Sequence, residues 1–94
     1  MQKRILDEAV VTLKAHPEAT IYVKGYCDAG GNADKNMKLS QERAATVAAY
    51  LQSRGVALSQ LSVMGMGASH FVATNNTAEG RARNRRVELE PVEP

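Results

Sequence analysis

The amino-acid sequence predicts an α+β two-layer sandwich, an α/β arrangement with helices on one face of a small mixed sheet. Three observations carry this reading. The chain opens with apolar residues at helical spacing, and a β-branched run at 20–24 follows the helix-breaking pair His16-Pro17. The same alternation of helix and strand then recurs before a short basic segment leads into a last strand.

In the first segment Ile5, Leu6, Ala9, Val10 and Leu13 share one face, so a helix begins near Lys3. Pro17 pushes His16 out of the α region and ends it. Thr20-Ile21-Tyr22-Val23-Lys24 reads as a strand. From Gly25 to about Leu39 the composition reads as loop, with room for a helical turn over 32–38. Ser40 then fits the N-cap of a second helix. Ala44, Val47, Ala48 and Leu51 give that helix its apolar face, and Arg54-Gly55 closes it. A turn over 56–60 leads to a strand at 61–64, which runs into Gly65-Met66-Gly67. That pair of glycines is too short for a nucleotide fingerprint and marks a strand end where backbone passes closely. Residues 68–76 read as exposed loop, and Thr77 caps a short helix through Arg83. The last strand spans 85–89, with Arg85, Val87 and Leu89 alternating against Arg86 and Glu88, and Pro91 and Pro94 end it.

Composition narrows the class. At 94 residues the chain suits one domain over 1–94, above the size of ~60 residues where burial is marginal. With one Phe, three Tyr and no Trp, the core must be aliphatic. A formal net charge of +2 is too small to argue for a polyanion partner. No apolar run approaches the ~18 residues of a membrane span, and Asp7 and Glu8 interrupt any signal-peptide core at the start. The single Cys27 excludes an internal disulfide and a cysteine-based zinc cage.

Asp28 lies just beyond the first strand, and Arg43 lies at the expected helix start. A carboxylate and a guanidinium so placed face each other across a loop and suit a zwitterion. Asp28 would meet an ammonium, and Arg43 would grip a carboxylate in bidentate fashion. Spacing alone leaves open an ordinary surface ion pair worth ~0–1 kcal/mol.

At these residues the chain resembles a known family. Asp28, Asn36, Leu39-Ser40 and Arg43-Ala44 match the spacing of the OmpA-like peptidoglycan-binding domain. That domain is shared by outer-membrane protein A, the peptidoglycan-associated lipoprotein and flagellar stator proteins. The tail Asn75-x-Thr77-x-x-Gly80-Arg81-x-x-Asn84-Arg85-Arg86-Val87-Glu88 matches the family's second signature. The resemblance runs from about residue 6 to residue 89. It implies a β-α-β-α-β-β mixed sheet of order 1-4-2-3 with strand 4 antiparallel. This chain opens directly in the first helix, so it is truncated at the N-terminus relative to the family and lacks the first strand. Residues 85–89 would then form an open edge. The expectation is a concentration-dependent homodimer through that strand, or a monomer whose last strand frays.

The resemblance further implies a non-catalytic module that anchors an envelope protein to the cell wall. Its setting would be the periplasm of a Gram-negative bacterium, in association with the outer membrane. Its ligand would be the meso-diaminopimelate of the peptidoglycan stem peptide, held by Asp28, Asn36 and Arg43. Arg85 would add positive charge, Gly80 and Asn84 would shape the turn, and Arg81 would brace the loop by ion pairing. No metal or organic cofactor is implied. The family usually has His-Thr before this Asp, where this chain has Tyr26-Cys27, so a hydroxyl contact there is lost or weakened. A catalytic thiol at Cys27 would need a nearby base, and a small buried side chain is the simpler reading. The basic run Arg81-Ala-Arg83-Asn-Arg85-Arg86 lacks the aromatics that single-strand nucleic-acid binders stack on. The rival function is a protein–protein interaction module of an envelope secretion or motor complex that keeps the fold without binding wall.

Overall fold

Helix α1 (Lys3–Ala15) buries Leu6, Val10 and Leu13, the inner part of the apolar face read from the sequence. A computed structural model describes residues 2–92 of the chain. The elements that follow are β1 (Ile21–Gly25), α2 (Ala33–Ser53), a 3-10 turn (Leu58–Gln60), β2 (Leu61–Gly65), α3 (Ala78–Asn84) and β3 (Val87–Pro91). Pro94, expected to end the last strand, lies outside the described residues.

The sheet has the order β2-β1-β3. Strand β1 runs parallel to β2, with Val23 beside Val63, and antiparallel to β3, with Val23 opposite Leu89. This is the family's order without its first strand. Leu6, Val10, Leu13, Val23, Ala44, Leu51 and Val56 form the core, with Ile21, Val87 and Leu89 packed against it. Gln60, also buried, donates from Nε2 to the carbonyls of Leu13, His16 and Ala19. It thereby ties the end of α1 to the turn that leads into β1, and serves the Leu13 carbonyl that Pro17, lacking an amide N–H, cannot.

The start of α2 corrects the sequence expectation. Ser40 is not the N-cap. Asn32 is, accepting from the amides of Asp34 at 2.9 Å and Lys35 at 3.2 Å. Nothing over 33–40 breaks a helix, so once capped at Asn32 it runs unbroken to Ser53. Its buried stripe is Asn36, Ser40, Ala44, Ala48 and Leu51. The first two are polar, so apolar periodicity becomes visible only from Ala44 onward. Ser40 is instead a contact point beneath the strand ends. Its hydroxyl accepts from the Gly67 amide at 2.9 Å. A Cβ on Gly25 would fall on the Ser40 carbonyl oxygen, so glycine there lets α2 lie directly on the end of β1.

The last strand also starts later than expected, at Val87, because Arg85 is the C-cap of α3. The phase of β3 follows from two bonds flanking it. The Tyr26 amide donates to the Arg86 carbonyl at 2.8 Å, and the Val92 amide to the Thr20 carbonyl at 3.0 Å. Even-numbered residues of the strand therefore turn their backbone groups toward β1, and Val87 and Leu89 turn theirs outward. Among the described residues these outward groups have no partner. Pro91, also at an outward position, has no amide to leave unpaired. Amide exchange is expected to alternate along β3, fast at Val87 and Leu89 and slow at Glu88 and Glu90. Uniform protection in dilute solution would show that something covers this edge.

Candidate functional site

Three pieces of chain meet at the end of β1: the segment leaving the strand, the first turns of α2, and the end of α3. They enclose a pocket of about 280 Å³ lined by Cys27, Asp28, Gly30, Gly31, Lys35, Asn36, Leu39, Arg43 and Arg85. All four residues singled out from the sequence (Asp28, Asn36, Arg43 and Arg85) line this one pocket. The volume suits the end of one side chain rather than a larger organic molecule.

Asp28 is held from two sides. Its Oδ1 accepts from the Gly30 amide at 2.9 Å, and its Oδ2 from Arg85 Nη1 at 2.6 Å. The Gly30 amide first, and the Arg85 guanidinium second, hold its carboxyl below the usual aspartate value. Its side chain is 18% exposed and that of Arg85 40%, so the ion pair faces solvent at the pocket mouth. Arg85 and not Arg43 is therefore the ionic partner of Asp28.

Arg43 stands in the third turn of α2 rather than the first, because the helix begins at Ala33. It is half-buried, and its Nη1 donates to the Tyr26 carbonyl and to Cys27 Sγ, both at 3.1 Å. Among the described residues it has no carboxylate partner, and its Nε and Nη2 groups make no hydrogen bond. Cys27 is buried, as expected, and donates from Sγ to the Asn36 carbonyl at 3.2 Å. Neither histidine hydrogen-bonds it among the described residues. Asn36 shapes the loop, donating from Nδ2 to the Gly30 carbonyl at 2.7 Å.

The second signature works from behind. Thr77 caps α3 by accepting from the Gly80 amide at 3.0 Å. A Cβ on Gly80 would collide with the Thr74 carbonyl oxygen. Arg81 braces the loop, but through the Asn75 carbonyl at 3.0 Å rather than through an ion pair. Asn84 is fully buried and makes four hydrogen bonds to residues 72–75, one of them to Asn75 Oδ1 at 3.0 Å. Asn75 Oδ1 also accepts from the Ala29 amide at 3.1 Å, which ties the tail to the residue after Asp28. Arg86 lies 3.9 Å from the Tyr26 ring centroid and donates to Glu88 and to the His70 carbonyl. Arg81, Arg85 and Arg86 of the basic run are thus each engaged in a separate internal contact, and Arg83 is exposed.

Sequence reasoning did not single out Lys35 as a site residue. Its place in the pocket depends on α2 beginning at Ala33, and the Asn32 cap was the available signal.

Comparison with known proteins bears on the family and the fold. The OmpA family matches residues 1–85. The probable lipoprotein YiaD of Escherichia coli is 44% identical over 84 residues, covering 89% of this chain and 38% of that protein. The peptidoglycan-binding protein ArfA of Mycobacterium tuberculosis is 45% identical over 85 residues, covering 90% of this chain and 26% of that protein. The crystal structure of the peptidoglycan-associated lipoprotein from Burkholderia pseudomallei superposes with a TM-score of 0.89 at 29% identity, over 98% of this chain and 80% of that one. The chain thus spans well under half the length of those two sequence relatives.

Proposed function

The chain belongs to the OmpA family, and from that premise we propose that it is a non-catalytic peptidoglycan-binding module gripping the meso-diaminopimelate of the stem peptide. The observation that carries the proposal is Arg43, a half-buried guanidinium with no carboxylate partner among the described residues, in the same pocket as the ionised Asp28. Arg43 receives the ligand carboxylate through the nitrogens it has not used. Asp28 receives the ammonium on lone pairs that Gly30 and Arg85 leave open. Arg85 lends positive charge from the rim, and Asn36 holds the loop in shape. Charge-assisted contacts contribute about 1.5–3 kcal/mol each, so two or three give roughly micromolar to millimolar affinity. That is enough for a tether to a polymeric wall, where many anchors act together. The role proposed is anchoring an envelope protein in the periplasm, at the outer membrane of a Gram-negative cell. Among the described residues no helix is long and apolar enough to cross a membrane.

Muropeptide titration tests this. A stem peptide with lysine in place of diaminopimelate keeps an ammonium for Asp28 but has no carboxylate for Arg43, so it is expected to bind far more weakly. Equal affinities would refute the pocket as drawn.

One observation favours the rival reading, an interaction module of an envelope complex. An apolar groove lined by Ile5, Ala9, Leu13, Leu89 and Pro91 runs between α1 and the open edge of β3. A partner docking there would perturb β3 and leave Asp28 and Arg43 silent in the titration. Self-pairing through β3 remains part of the proposal, and it is expected to be weak. Arg86, just before β3, already engages Glu88 of the strand, so a cross-strand pair would replace that bond rather than add one. Sedimentation is expected to show dimer only at high concentration.

A further inference from the structure

The charges lining the pocket do not balance. Lys35, Arg43 and Arg85 face one carboxylate, Asp28, and Arg85 alone is paired with it. A zwitterion brings no net charge and would leave this excess of cations uncompensated. Lys35 is exposed and has no carboxylate partner among the described residues. Glu42 lines a neighbouring surface with Lys35 and Lys38, and among the ion pairs of the described residues it is paired with neither.

The arrangement along α2 is regular. Lys35, Leu39 and Arg43 stand four residues apart on successive turns, and all three line the pocket. Lys35 and Arg43 are therefore about 12 Å apart along the helix axis, with the half-exposed Leu39 between them. Cation, apolar floor and cation form a ladder facing the wall made by Asp28, Gly30 and Gly31.

We propose that Lys35 receives a second carboxylate of the same ligand, with Leu39 under the apolar carbons that separate it from the one on Arg43. The pocket then selects peptides that present two carboxylates about a nanometre apart with one ammonium between or beside them. This rests on the reading of the pocket as a diaminopimelate site and adds a specificity-determining contact to it. In a stem peptide that ends at diaminopimelate the second carboxylate has two sources, the opposite end of diaminopimelate itself and the preceding γ-linked glutamate; in a longer stem only the glutamate remains. Complementary charge placed this way discriminates between ligands more than it adds raw affinity.

The test uses the tripeptide L-alanyl-γ-D-glutamyl-meso-diaminopimelate and two carboxamide forms of it. One form is blocked at glutamate, the other at the diaminopimelate carboxyl beside the peptide bond. Calorimetry is run on the wild-type chain, Lys35→Gln and Lys38→Gln, with circular dichroism to confirm that each is folded. The wild type is expected to lose about threefold to fivefold in affinity on one of the two blocks, the upper end for an exposed ion pair. Which block does so names the source. Lys35→Gln should lose the same factor on the free tripeptide and no longer distinguish it from that carboxamide. Lys38→Gln, one turn away and outside the pocket lining, should behave as wild type. The proposal is overturned if Lys35→Gln binds the free tripeptide as tightly as wild type does. It is also overturned if neither block weakens the wild type, or if Lys38→Gln shows the same loss, which would mean a diffuse field. In each of those cases the tripeptide still binds and the diaminopimelate reading stands. Failure of the folded wild type to bind any of the three peptides would instead remove that reading, and this proposal with it.

Discussion

Arg43→Ala is expected to abolish binding of a diaminopimelate muropeptide while leaving the fold in place. The guanidinium is half-buried and without a carboxylate partner among the described residues, so in the bound state it is the main compensation for the ligand carboxylate. Truncating one partner of a desolvated charge pair costs about 2–5 kcal/mol, or roughly thirtyfold to several thousandfold in affinity. The fold loses only the bonds from Nη1 to the Tyr26 carbonyl and Cys27 Sγ, of order 1 kcal/mol each. Arg43→Lys should not restore binding, because an ammonium cannot both hold the Tyr26 carbonyl and present a fork to a carboxylate. Asp28→Ala should match the loss from the other side of the ligand. Near-wild-type affinity for either alanine variant, measured by calorimetry on folded protein, would sink the assignment.

Acid gives the same experiment without mutation. Because the Gly30 amide and then Arg85 lower the Asp28 carboxyl below 3.8, binding should persist as pH falls to that value and fail only beneath it. The sign for folding is the same. A carboxyl whose folded value is depressed stabilises above its unfolded value, and that contribution is lost as pH falls through the folded one.

The elements that were legible in the sequence are those whose buried face is apolar. Helix α1 shows Leu6, Val10 and Leu13 at regular spacing, and β1 is a run of β-branched and aromatic residues bounded by Pro17 and Gly25. The first half of α2 was hidden because Asn36 and Ser40 occupy its inward positions. They are polar there because the pocket and the strand ends use them. Asn36 supports the Gly30 carbonyl, and Ser40 accepts from the Gly67 amide. The same displacement moved Arg43 out of the first turn and concealed Lys35. The pairing of Asp28 with Arg85 was also illegible, since it joins residues 57 positions apart through the turn after α3. The motif spacing identified all the charged groups at the mouth of the pocket but Lys35. It carried no information on which cation would lie on which carboxylate in the absence of ligand.

The largest expected loss of stability is at Asn84. Its side chain is fully buried, accepts from the Val72 amide at 2.9 Å and the Ala73 amide at 3.1 Å, and donates to the Ala73 carbonyl at 2.9 Å and Asn75 Oδ1 at 3.0 Å. Replacing it by Ala strands several of these groups where water reaches poorly. An unsatisfied buried group costs about 1–3 kcal/mol, and the loop will relax around some of them, so a net loss of about 2–4 kcal/mol is expected. In urea that moves the unfolding midpoint down by roughly 1–2 M. Asn84→Asp should fare no better, because a carboxylate keeps the two amide donors but faces the Ala73 carbonyl and Asn75 Oδ1 with negative charge. The chain of contacts continues through Asn75 to the Ala29 amide, next to Asp28. Asn75→Ala removes the bond to the exposed Ala29 amide, which water can replace, and one of the four bonds of Asn84. It should therefore lower the urea midpoint by less than Asn84→Ala does and still weaken muropeptide binding, by freeing the backbone that aims the Asp28 carboxylate. If Asn75→Ala instead binds normally, Asp28 is aimed by Gly30 and Arg85 alone, and the second signature serves the fold rather than the site.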